Sequence, residues 1–289
     1  MHFAKRTPLR FPLLAFAVSF FGFLLFYLIP FLMSAIYAFV DNPIRKNFVG
    51  LANFMVLLEN GIFLRGLKNT VIFLMFAIPL CMVCSLLLAL ALKAVGRWGS
   101  LLSVIFLIPL VLPSAGVVRF WERMFAENGI LNGWLDGMGI RPPGWLNSGF
   151  AMGVVIFLFL WKNLGYNAIL FLTGLYGIPE GYYECAAVLG AGKRQQFFYI
   201  TAVYLLPSFF LVFLMSFVNS FKIFREIYLL QGSFPHESIY LLQHYVNSTL
   251  LSMHYHRLVS AVYVLTFLIS LVVLLTFWFE TKIAEELRE

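Results

Sequence analysis

Six long stretches of this chain are almost free of charge, and that pattern constrains the fold more than any other feature. The run from Phe11 to Val40 contains no Asp, Glu, Lys or Arg. A bilayer core is about 30 Å thick and takes roughly 20 apolar residues in a helix. Inside lipid every backbone N–H and C=O must be satisfied within the segment, so an apolar run of this length is helical. Charged residues make up 11% of the chain and hydrophobic ones 62%, against about 25% charged in soluble domains. These features exclude a soluble domain and predict an all-α, polytopic membrane protein.

The first run is too long for the core of a signal peptide, which spans about 7–15 residues, and no small-residue cleavage pattern follows it. It is expected to stay as the first transmembrane helix, kinked toward its outer end by Pro30. Residues 41–68 form an external loop with a short interfacial helix. The second span is expected at Asn69–Leu92, with Pro79 inside. The short turn around Lys93 to Gly99 makes a hairpin with the third span, Leu101–Val118, which Pro109 and Pro113 interrupt. An external Gly-, Pro- and Trp-rich segment, 119–149, precedes the fourth span, Phe150–Leu172. The fifth span is placed at Phe197–Phe221 and an external loop at Lys222–Arg257. The sixth span is Leu258–Phe279, before a short charged tail. The chain thus divides into an N-terminal helix and loop (1–68), a transmembrane core of five helices (69–280) and a tail (281–289).

Six spans place both termini on one side. Lys5, Arg6, Arg10, Lys93, Arg97, Lys193, Arg194, Lys282 and Arg288 fall in the segments assigned to the inside. Arg45, Lys46, Arg65, Lys68, Arg119, Arg123, Arg141, Lys222, Arg225 and Arg257 fall in the longer outer segments. Density rather than number therefore favours cytoplasmic termini in a plasma or inner membrane. The formal net charge of +7 is spread over these flanks, so it implies no nucleic-acid partner. Cys81 and Cys84 lie in an apolar span and read as small buried hydrophobes.

Lys162 is the one charged residue within the assigned spans. A charge at mid-bilayer costs about 2.5–3.5 kcal/mol on insertion scales, so it should face a polar cavity or a partner. Asn163, Tyr166 and Asn167 accompany it, and Ser216, Asn219 and Ser220 form a second polar group on the fifth span. These residues suit a pathway for a polyhydroxylated solute, or they hydrogen-bond helix to helix. Paired carboxylates and a metal cluster are missing, which argues against a membrane-embedded enzyme. His254 and His256, flanking Tyr255, read as an ordinary interfacial loop. An ion-coupled secondary transporter usually shows internal repeats and intramembrane carboxylates, and the assigned spans contain neither Asp nor Glu.

Between the fourth and fifth spans lies GIPEGYYECAAVLGAGKRQQFFYITAVYLLP, residues 177–207. Pro179 suits the first turn of a helix, and Glu180 and Glu184 sit near its positive end. Tyr183, Ala186, Ala187 and Gly190 are spaced i, i+3, i+4 and i+7, so they share a face that is nearly bare of side chains apart from the tyrosine. Gly190-Ala191-Gly192 ends the helix with permissive backbone. Gly192-Lys193 does not complete a phosphate-binding loop, because Ala187 and Arg194 stand where that motif needs Gly and Ser or Thr.

This stretch resembles the signature of the membrane-spanning permeases of binding-protein-dependent ABC importers, in the carbohydrate (maltose and glycerol-3-phosphate) group. Glu184, Ala186, Gly190, Ala191, Gln195, Phe197, Ile200 and Pro207 fall at matching positions, with Cys185, Leu189 and Val203 as departures. Further matching pieces are Phe48-Val49-Gly50-Leu51 with Asn53-Phe54, Asn69-Thr70, Pro109 with Pro113, Trp121, Gly129-Ile130-Leu131-Asn132, Trp145-Leu146 and Trp161. The resemblance implies a cytoplasmic coupling helix within a loop at about 177–196, contacting an ATPase through Tyr183, Glu184, Ala186, Ala187, Gly190 and Ala191. It also implies a second, related permease chain, two cytoplasmic ATPase subunits and an extracellular solute-binding protein. ATP and Mg would bind the ATPase, leaving this chain with no cofactor and no catalysis.

Overall fold

The structure is a computed structural model that describes residues 10–41 and 47–286. Lys5, Arg6, Arg45, Lys46 and Arg288 of the orientation argument lie outside the described residues. The described residues are helical and contain no strand beyond an isolated bridge between Val40 and Phe48. Among the described residues, five helices are long and apolar enough to cross a membrane: Phe16–Ala38, Gly61–Ala94, Ala151–Tyr176, Leu206–Gln231 and Tyr255–Ile283. A sixth crossing is supplied if Arg97–Val111 and Ser114–Gly137, which meet at 87°, count as one broken span.

The chain divides into two compact units. One combines Met1–Asn60 with Thr249–Leu268. Its first span is a helix, Arg10–Phe23, that passes through a π turn at Leu24–Leu28 into Ile29–Ala38. The irregular turn lies just before Pro30, which has no N–H to offer the preceding turn. Tyr263 stacks on Phe31 at 4.8 Å and donates its hydroxyl hydrogen to the Phe31 carbonyl. Asn53 Nδ2 closes the helix end by donating to the carbonyls of Ala38 and Val40, both at 2.9 Å.

The other unit is Gly61–Ser248 with Ile269–Glu289. Its axis is the pairing of the second and fourth spans, with the fifth packed on both. Small residues permit the close contacts. A Cβ on Gly165 would sit 1.9 Å from the carbonyl oxygen of Phe106, and one on Gly174 would sit 2.2 Å from Ser208 Oγ. The buried apolar core runs in a chain of clusters. Phe73, Ala77 and Cys81 meet Val155, Phe159, Ile223 and Ile227, while Ala89 and Leu92 meet Phe171, Leu175, Leu205 and Val212.

Several boundaries differ from expectation. The second helix starts at Gly61 rather than Asn69, because the Arg65 and Lys68 charges extend past the apolar stretch without breaking the helix. Pro79 is accommodated inside it. The third span turns sharply after Val111, where Leu112 and Pro113 are extended, and restarts at Ser114. Part of the segment assigned outside, from Arg119, therefore belongs to its second arm. The fifth span extends beyond Phe221 as a second helix, Ile223–Gln231, whose buried Ile223, Glu226 and Ile227 keep helical spacing.

Candidate functional site

Two regions carry the functional geometry. The first is the connection between the fourth and fifth spans. Its short helix runs Glu180–Val188, and Pro179 takes the capping position just before it instead of the first turn. Leu189 follows as the C-cap, and Gly190 has φ +82°. The Gly190 N–H donates to the Ala187 carbonyl at 3.0 Å and the Ala191 N–H to the Ala186 carbonyl at 2.9 Å. That pair of bonds is the Schellman closure of a helix, which needs a left-handed residue at the position Gly190 holds. A Cβ there would meet nothing within 4 Å, so backbone conformation and not space selects the glycine.

Along this helix Tyr183 and Ala186 are partly covered, while Glu184, Ala187 and the residues after it are exposed. Val188 is 88% exposed and Leu189 87%. The bare face predicted from spacing is thus divided: Tyr183 and Ala186 turn toward the protein, and Val188 and Leu189 give the far end an apolar tip. Gln195 Oε1 accepts the Gly192 N–H at 2.9 Å, which starts the next helix at Lys193.

The second region is polar and buried among the spans. Asn167 Nδ2 donates to Ser216 Oγ at 2.7 Å and lies 3.4 Å from Cys81 Sγ. Ser85 Oγ donates to the Leu164 carbonyl at 3.1 Å. Asn163 Nδ2 and Ser220 Oγ turn back onto carbonyls of their own helices, Phe159 and Phe217. Asn219 Oδ1 accepts from Lys222 Nζ at 2.8 Å. Asn163, Asn167, Ser216 and Ser220 are buried, whereas Lys162, Tyr166 and Asn219 are partly open.

Lys162 has the partner its position demands. It forms an ion pair with Glu226 and also donates to Ser114 Oγ at 3.2 Å; Ser114 donates in turn to Glu226 Oε1 at 2.9 Å. The Lys162 and Glu226 side chains are 18% and 4% exposed. The expectation that the spans contain no acid is therefore corrected: Glu226 lies within the crossing Leu206–Gln231. Lys222 and Arg225 beside it resemble the rim of a loop, and its counter-charge comes from a helix distant in sequence. The readable signal was the run Ile223, Ile227, Leu230, which continues helical spacing past Lys222.

No ligating cluster accompanies these groups. Among the described residues no set of three or more His, Cys, Asp or Glu side chains could hold a metal ion. The rings of His254 and His256 stand 6.4 Å apart, edge to face.

Comparison with known proteins follows the same architecture. Residues 49–289 match the family described as binding-protein-dependent transport system inner membrane component. A probable ABC transporter permease protein of Bacillus subtilis, YurN, is 31% identical over 222 residues, covering 74% of this chain and 76% of that protein. The trehalose/maltose transport system permease protein MalF of Thermococcus litoralis is 29% identical over 234 residues, 78% and 77% of the two chains. The crystal structure of a bacterial ABC transporter involved in import of the acidic polysaccharide alginate superposes with a TM-score of 0.79, 20% identity, and coverage of 94% of this chain and 96% of that one. By the family match over most of its length, this chain belongs to the inner membrane components of binding-protein-dependent transport systems, as a multi-pass permease subunit and not an enzyme.

Proposed function

We propose that this permease forms half of the pathway by which a sugar or related polyhydroxylated solute enters the cell, and that the Glu180–Val188 helix couples it to ATP hydrolysis on a separate subunit. The carrying observation is this helix itself: a short helix between two membrane crossings, closed by Gly190 and tipped by exposed Val188 and Leu189. An exposed apolar tip is a contact surface looking for a partner. Glu184, exposed beside it, supplies the charged contact, and Tyr183, Ala186, Ala187 and Ala191 complete the docking segment. ATP and Mg bind the ATPase pair, whose closure moves the helix and rocks the spans between inward-open and outward-open states.

The sugar reading draws on the relative named for trehalose and maltose and on the fold neighbour named for alginate. Lys162, Tyr166 and Asn219 are the pathway groups with open surface. Asn163, Asn167, Ser216 and Ser220 shape the path from behind by holding the helices together. The full assembly has a second, related permease, two ATPase subunits and an external binding protein, with both termini of this chain in the cytoplasm.

The test is co-isolation. The full chain retains a soluble ATPase through purification, and a chain lacking residues 177–192 inserts in the membrane without it. Retention of the ATPase by the deleted chain would overturn the coupling assignment. Thermal-shift screening of the co-purifying binding protein then identifies the solute.

A further inference from the structure

We infer that Lys93, through Tyr183 and Thr201, fastens the Glu180–Val188 helix to the end of the fourth span, so that the two move as one body. The inference rests on the coupling role proposed above and extends it to a positioning residue on the second span.

Lys93 lies in the last turn of the helix Gly61–Ala94. Its Nζ donates to the Leu175 carbonyl at 2.9 Å. That carbonyl is in the final turn of the helix Ala151–Tyr176, where the last four C=O groups have no helical partner and a cation is favoured. The same ammonium lies 5.5 Å from the centre of the Tyr183 ring, within cation–π range. One cation thus ties the second span, the fourth span and the short helix.

Tyr183 continues the link. Its hydroxyl is 2.9 Å from Thr201 Oγ1. Thr201 is buried at the end of a π turn, Phe197–Thr201, and its hydroxyl also reaches the Gln196 carbonyl at 3.5 Å. Single π turns of this kind are frequent where a helix serves a functional purpose. Gln196, also buried, donates through Nε2 to the Ala191 carbonyl at 3.1 Å. A continuous polar path therefore runs Leu175–Lys93–Tyr183–Thr201–Gln196–Ala191, entering the helix at its middle and returning at the turn that ends it. Beneath it, Tyr183 packs on the cluster of Leu92, Leu175, Ile178 and Leu205.

These contacts answer a mechanical requirement. A force applied at the exposed tip, Val188 and Leu189, reaches the spans only if the helix cannot swing on Gly177 and Gly192. Pro179 and buried Ile178 steady the entry, but Gly177 before them and Gly190 and Gly192 after the helix leave the backbone permissive. The clamp at Tyr183 prevents the swing.

The experiment places spin labels on Gly181→Cys, where a Cβ meets nothing within 4 Å, and on exposed Thr173→Cys near the end of the fourth span. Cys84 and Cys185 are replaced by Ala, and the chain is purified with its ATPase and read with and without MgATP. The expected result is one narrow distance in both states. Lys93→Met and Thr201→Val spread it into a broad distribution, and Lys93→Arg, which keeps the cation, restores it. ATP hydrolysis without solute persists in all three. A distance that stays narrow in Lys93→Met and Thr201→Val overturns the clamp, as does a Lys93→Arg chain that behaves like Lys93→Met. Absence of an ATPase from the unsubstituted complex would instead count against the coupling role itself.

Discussion

Lys162 and Glu226 form an ion pair within the membrane-crossing unit, and Ser114 at the break of the third span bonds to both. The pair joins three elements that the sequence presents as unrelated. Removing one partner of a buried pair leaves the other charge unpaired, at a cost of about 3–5 kcal/mol, whereas an apolar pair of similar volume is often neutral. Glu226→Met should therefore lower the melting temperature of the purified chain sharply, and Lys162→Met with Glu226→Met should recover most of the loss. A double variant no better than the single one would show that the pair does more than neutralise itself.

His244 is fully buried on the Leu242–Leu251 helix, between the rings of Phe224 and Tyr240. Its Nδ1 accepts the Leu241 N–H at 3.1 Å, so the folded ring is neutral with its proton on Nε2. Burial pushes its pKa down from 6.5 to about 4. The folded value is depressed for a base, so the unfolded chain binds the proton first as pH falls. Stability is complete above about pH 6.5 and is lost progressively toward pH 4. Unfolding measurements should show a loss of about 1 kcal/mol between pH 7.5 and 5.5, reduced in His244→Gln.

Gly165 and Gly174 offer a graded test of how the fourth span packs. A Cβ at Gly165 meets the Phe106 backbone at 1.9 and 2.4 Å, which must move as a unit. At Gly174 the neighbours are side chains, Ser208 Oγ at 2.2 Å and buried Leu205 Cδ2 at 2.9 Å, which shift more readily than backbone. Overpacking costs roughly 1–3 kcal/mol. Gly165→Ala should lie at or above the top of that range and Gly174→Ala near the bottom, read as thermal unfolding in detergent. The reverse order would contradict the packing described.

Leu189, one of the departures from the family signature, is almost wholly exposed. If it fills an apolar groove on the ATPase, burying it is worth about 1.5–3 kcal/mol. Leu189→Asp should then weaken ATPase retention at least about tenfold, since 1.4 kcal/mol is a factor of ten. Unchanged retention, or tighter binding, would mean that the tip stays in solvent.

Much of the fold was legible in the sequence because lipid imposes one rule on every span: length and lack of charge. Some of the scattered family matches meet in space, and others hold a loop. Trp145 Nε1 donates to Asn132 Oδ1 at 2.6 Å, Trp121 and Trp161 pack edge to face at 5.4 Å, and Asn69 and Thr70 hold the 237–242 loop through Glu237, Tyr240 and Leu242. Charge was the weaker guide. Glu226 looked like a loop residue because its neutralising lysine is remote in sequence, and Lys93 looked like a flank charge because its acceptor is a backbone carbonyl. Polarity alone could not separate groups that bind a solute from those that bind a neighbouring helix. Asn167 acquires its partner Ser216 only once the helices are placed, whereas Asn163 bonds back to Phe159 on its own helix.

If the helix closed by Gly190 transmits ATP-driven motion to the spans, transport depends on that closure. The direct measurement is ATP-dependent uptake into vesicles carrying the whole complex, using the solute that stabilises its binding protein. Gly190→Asp puts a side chain on a left-handed residue, which aspartate tolerates better than most, so its main effects are the added bulk and a negative charge at the negative end of the helix. The chain should insert normally and uptake should be abolished. Normal uptake by that variant would mean that this helix does not carry the motion.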